Sequence, residues 1–145
     1  MNVRTLSDGH GFLEAPRWHD GMLYVSDFFA RAVFAFDENG NKCVVCEVVG
    51  QPSGLGWTPA GDLLVVSMLD RKLLRLTGDD LIEVADLSGI ATWHANDMVV
   101  DASGRSFIGN FGWDESSDDR IVPTALIRVD PDGTVLARVL WIPFA

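Results

Sequence analysis

A phrase of about forty residues recurs three times along this 145-residue chain, and recurrence at that period leaves few folds open. Aligned on a hairpin turn, Glu14-Ala-Pro-Arg-Trp18, Ser53-Gly-Leu-Gly-Trp57 and Asn96-Asp-Met-Val-Val100 run into His19-Asp-Gly21, Thr58-Pro-Ala-Gly61 and Asp101-Ala-Ser-Gly104. The turn glycines lie 40 and 43 residues apart, the period of one four-stranded propeller blade.

Within each repeat, short β-prone runs alternate with turn residues, and no long amphipathic helical pattern intervenes. Strands are expected at 15–18, 22–26, 32–36 and 43–48, at 54–57, 63–67, 72–76 and 81–85, and at 97–100, 106–110, 125–129 and 135–140. The fold class is therefore all-β: about three four-stranded antiparallel blades, near 13–49, 52–87 and 93–140, forming a partial propeller over 1–145. Val3-Arg-Thr-Leu6 is expected as a further strand. The apolar ending at 138–145 lacks the polar outer face that a terminal repeat needs. Either the chain is a piece of a longer protein, or it buries that edge against another chain.

With 21 acidic and 11 basic residues the formal charge is −10, which argues against nucleic acid as a partner, since phosphates must be met by clustered Lys and Arg. No apolar run approaches the length of a membrane span and no signal peptide opens the chain, so no membrane association and a cytoplasmic location are expected. Cys43 and Cys46 form a C-x-x-C inside a run of strand formers, where residues three apart point to opposite faces. The expectation is two buried small hydrophobes, not a redox pair or a zinc site; His10, His19 and His94 are scattered.

The first strand of each propeller blade lines the central channel, so Glu14, Ser53 and Asn96 are expected to form a ring of oxygens at its mouth. Such a set suits calcium or magnesium, and does not exclude zinc or manganese. For Glu14 the alternative is a structural carboxylate bonded to backbone amides of the next strand; Ser53 reads as structural. Asn96 either contacts a ligand or caps the preceding loop, with Asp97 facing the other way and His94 on the same side as Asn96. Trp18 and Trp57 match in register, which argues for packing between blades. The segment Phe111 to Thr124 is longer than its equivalents and acidic, and reads as a lid or as a solvated loop. Its Trp113 is the aromatic placed to cover an organic molecule, with Asp114 and Glu115 beside it for substrate hydroxyls. No G-x-S-x-G, Walker glycine loop or H-E-x-x-H is present.

Leu13-Glu-Ala-Pro-Arg-Trp18, Ser53-Gly-Leu-Gly-Trp57 with Gly61-Asp-Leu-Leu-Val-Val66, and Asn96-Asp-Met-Val-Val-Asp-Ala-Ser-Gly-Arg105 followed by Gly109-Asn-Phe-Gly112 resemble the senescence marker protein-30, gluconolactonase and luciferin-regenerating enzyme family. The resemblance implies a six-bladed propeller that binds one divalent cation, calcium foremost, and hydrolyses sugar or aldonic lactones. It implies Glu14 as a metal ligand, and His94, Asn96 and Asp114 as the substrate side, to which the reading of the long loop adds Trp113. It places the remaining metal ligands and the acid/base in blades beyond Ala145, so no catalytic residue is expected in this chain. Three readings follow: part of a metal-dependent lactonase acting on a small-molecule lactone, a non-catalytic binding module, or a homodimer closing a six-bladed ring through exposed blade edges.

Overall fold

The computed structural model describes residues 3–114, 116–117 and 120–138. The expected end of the third blade beyond 138, Glu115 and the apolar tail lie outside the described residues. The strands are β1 (Leu13–His19), β2 (Met22–Asp27), β3 (Ala32–Phe36), β4 (Lys42–Glu47), β5 (Pro52–Trp57), β6 (Leu63–Ser67), β7 (Lys72–Thr77), β8 (Asp80–Asp86), β9 (Ala95–Val100), β10 (Ser106–Asn110), β11 (Leu126–Val129) and β12 (Val135–Arg138). They form three four-stranded antiparallel sheets, each in chain order, as the repeat predicts. Short hairpins set that order. At Asp20-Gly21 both turn residues have positive φ (47° and 76°), the geometry that matches the right-handed twist of the flanking strands.

The sheets stack face to face and bury two cores. Val33, Ala15 and partly buried Cys46 of the first sheet meet Leu55, Leu63 and Val65 of the second. On the opposite face of the second sheet, Leu64, Val66 and Leu73 meet Met98, Ile108, Ile127 and Val129 of the third. The innermost strands approach very closely: a Cβ on Gly54 would sit 2.5 Å from the Met98 amide nitrogen, and one on Gly56 2.5 Å from Val100 Cγ2. Glycine at these positions is what lets β5 lie against β9.

Residues 3–12 carry no strand, contrary to the expectation for Val3 to Leu6. They lie on the first sheet's outward face, where Leu6 packs on Val25, Phe34 and Phe36, and His10 meets the Phe36 ring edge-on at 5.6 Å. The buried Asp27 carboxylate holds this segment, accepting from the amides of Gly11 (3.0 Å) and Phe12 (3.2 Å), and from those of Phe29 and Ala30. Pairing with Asp27, rather than with a neighbouring strand, satisfies these backbone donors.

Cys43 and Cys46 are also placed differently from the sequence reading. Cys43 is opposite Ala35 and Cys46 opposite Val33, so the extra residue Val45 brings both cysteines to one face of the sheet. Cys43 is exposed and Cys46 half-buried, both are free thiols, and burial pushes the Cys46 thiol up to about 11.

Gly54→Ala is expected to lower unfolding free energy by roughly 1–3 kcal/mol in urea denaturation, because backbone must move to admit the methyl. Gly109→Ala, whose Cβ would find its nearest atom at 3.8 Å, is the control, expected to stay within about 0.5 kcal/mol. Burial raises the Asp27 carboxyl, but the four backbone amides outweigh it and hold the group below its ordinary value of 3.8. A lowered carboxyl contributes stability above that value and loses it as pH falls. The stability difference between wild type and Asp27→Asn is therefore expected at pH 7 and to shrink below about pH 4, read from denaturation midpoints across pH.

Candidate functional site

Each innermost strand carries a two-against-one bulge. Ala15 and Pro16 face Val25, Ser53 and Gly54 face Val66, and Asn96 and Asp97 face Gly109. A bulge re-aims side chains and ends regular pairing, so three in equivalent places turn three strands toward a common point. Ala15, with φ of 50°, takes the positive-φ backbone in the first.

Glu14, Ser53 and Asn96 meet there. The buried Ser53 hydroxyl donates to Glu14 Oε1 and lies 3.3 Å from Asn96 Oδ1, while the Ser53 carbonyl accepts from Ser26 Oγ at 2.6 Å. The donor that meets Glu14 is thus a side chain of the second sheet, not a backbone amide as the structural alternative supposes. Burial raises the Glu14 carboxyl above its ordinary value, opposed by the Ser53 hydroxyl; Asp97 adds to the rise and Arg17 opposes it. Asp97 turns away from Asn96: its Oδ1 accepts from Arg17 Nη2 at 2.6 Å, and the same nitrogen donates to the Met98 carbonyl at 2.7 Å. Arg17 thereby ties β1 to β9.

A carboxylate, a hydroxyl and an amide oxygen gathered this way form a hard donor set of the kind calcium and magnesium take, so these residues fit one side of such an ion. They supply fewer than the roughly six to eight oxygens calcium requires. Among the described residues no group of three or more His, Cys, Asp or Glu could hold a metal ion.

The stretch leading into β9 and the loop after β10 flank an open cavity of about 460 Å³ lined by Thr92, Trp93, Gly112, Trp113, Asp114, Arg120 and Val122. His94 stacks on Trp93 at 4.6 Å, and its carbonyl accepts from the Phe111 amide at 2.9 Å. The loop is anchored by the Val122 amide donating to the Gly112 carbonyl at 2.8 Å and by Asn110 Nδ2 donating to the Ala125 carbonyl at 2.8 Å. The Ser116 hydroxyl and amide hold Asp114 below the usual carboxylate range, helped by His94.

The structure therefore brings Glu14, Ser53 and Asn96 to one point, and puts Trp113 and Asp114 in one cavity with His94 beside it. The match of Trp18 with Trp57 does not hold. Counted from the bulges, Trp57 corresponds to His19, on which it stacks at 4.1 Å, whereas Trp18 is 59% exposed. The first hairpin turns in two residues and the second in five, so the pairing of Glu14 with Ser53 and of Trp18 with Trp57 sets the first repeat one residue out of register. Arg17, Trp93 and Arg120 were missed by sequence reasoning; Trp93 and Arg120 had a signal, since one flanks His94 and the other lies in the long loop.

Because the folded Glu14 carboxyl titrates above 4.5, its contribution to stability is present below that value and is lost as pH rises through the folded one. Glu14→Gln is accordingly expected to raise the thermal midpoint at pH 7 and to change it little at pH 3.5. A lower midpoint at pH 7 would make the charge stabilising and contradict this.

Residues 12–140 match the SMP-30/Gluconolactonase/LRE-like region. Among solved structures, a gluconolactonase from Xanthomonas campestris is 21% identical with a TM-score of 0.74, over 92% of this chain and 49% of its own. Regucalcin, a calcium-binding protein from Agrobacterium tumefaciens, is 19% identical with a TM-score of 0.64, over 86% and 44%. Virginiamycin B lyase from Staphylococcus aureus is 12% identical with a TM-score of 0.70, over 94% and 44%. Likeness at these identities shows the fold alone. No curated protein matches the chain. The chain spans about half the length of these solved structures, and its three sheets are blades of an incomplete β-propeller. With the match covering all three blades, the chain belongs to the SMP-30/gluconolactonase/LRE-like family.

Proposed function

We infer that this chain forms part of a divalent-metal-dependent lactonase acting on sugar or aldonic lactones in the cytoplasm. The observation that carries this reading is the meeting of Glu14, Ser53 and Asn96 from three separate blades, linked through the Ser53 hydroxyl. A channel-facing carboxylate that is disfavoured as an anion is costly unless a cation compensates it. Glu14 is the metal ligand, Ser53 fixes its carboxylate, and Asn96 offers its amide oxygen to the ion or to substrate. When bound, the ion supplies Lewis acidity at an ester carbonyl. His94, Asp114 and Trp113 position the lactone ring beside that point. Calcium is the favoured ion because all three donors are oxygen; zinc, manganese and magnesium are the alternatives.

The acid/base that the reaction needs lies outside this chain on this reading, so hydrolysis by the chain alone is expected to be weak or absent. Metal binding tests the reading without turnover. Calcium is expected to raise the thermal midpoint of wild type, because a ligand of the native state must do so, and to leave that of Glu14→Ala unchanged. Equal shifts in the two proteins would remove Glu14 from the site. A wild type indifferent to calcium, zinc, manganese and magnesium alike would leave a binding module as the better description.

A further inference from the structure

The cavity beneath the long loop holds a charge that the lactone reading leaves unused. Arg120 lines it with the indoles of Trp93 and Trp113, the Asp114 carboxylate and the apolar Val122. Asp114 already accepts from the Ser116 amide at 2.8 Å and hydroxyl at 2.6 Å and is held ionised. It retains lone pairs for a ligand hydroxyl. Among the described residues no ion pair engages Arg120. A guanidinium carries a planar fork of donors that matches a carboxylate in two parallel hydrogen bonds. Indoles suit the C–H side of a ring, and two line the cavity. The chain's net charge of −10 and the ionised Asp114 oppose a doubly charged phosphate more than a single carboxylate.

We propose that Arg120 is a specificity-determining residue of this cavity, where it binds the carboxylate of a hydroxylated lactone whose ring lies against Trp93 and Trp113. The substrate class becomes a lactone of a sugar diacid, which retains a free carboxylate after ring closure. This deepens the lactone reading and rests on it. Asp114 takes the ring hydroxyls and Arg120 discriminates by charge, so neutral lactones bind without the second anchor.

Tryptophan fluorescence titrations with D-glucaro-1,4-lactone, which bears a carboxylate, and neutral D-glucono-1,5-lactone test the assignment. Wild type is expected to bind the first about ten- to a hundredfold more tightly, the range of a charge-assisted hydrogen bond. Arg120→Gln is expected to erase that ratio while leaving the neutral lactone's affinity unchanged, Arg120→Lys to keep part of it, and Trp113→Phe to reduce the quench. Arg120 is exposed, so its two variants leave the core intact. Equal binding of both lactones by wild type overturns the role of Arg120 but leaves the lactone reading standing. Failure of both lactones to bind overturns the two together.

Discussion

A Cβ placed on Gly54 would come within 2.5 Å of the Met98 amide, so β5 and β9 touch backbone to backbone with no side chain between them. That distance governs the rest of the structure. Were the strands held a methyl group further apart, the Ser53 hydroxyl could not reach both Glu14 and Asn96. The apolar layers on either face of the second sheet press the blades together, but glycine decides how near the innermost strands can come.

The bulges turn that proximity into a site. A regular strand sends successive side chains to opposite faces, which would put Asn96 and its neighbours in the blade cores. Two residues set against one free Ser53 and Asn96 from the ladder and aim them at the axis. Asp97, sent the other way, becomes the anchor for Arg17, and the pair links the first blade to the third. The Glu14 carboxyl is left in a polar, partly enclosed spot where burial disfavours its charge. Such a group is poorly placed for stability, the cost that the proposed cation would offset.

The blades were legible in the sequence because strand alternation and Gly-Asp turns are local signals. The ring of Glu14, Ser53 and Asn96 was legible for a less secure reason, since the alignment that suggested it was one residue out in the first repeat. The bulges have no residue signature: Ala15-Pro16, Ser53-Gly54 and Asn96-Asp97 share no side-chain type. The same blindness put Cys43 and Cys46 on opposite faces, because Val45 reads as an ordinary strand residue until its partner strand is known. Val3 to Leu6 has strand-like residues, and only the Asp27 carboxylate and the Phe34 and Phe36 rings that the segment covers, brought together in three dimensions, decide that it lies flat instead.

The draping of residues 3–12 over the first blade makes the two ends of the stack unequal. On that side an arriving sheet meets main chain already satisfied by hydrogen bonds and a face whose phenylalanines are covered. On the far side the third sheet leaves Val99, Leu126 and Leu136 partly open to water. The two outer faces thus differ in kind: the first is met through the draped segment at 3–12, the third through apolar side chains of its own strands.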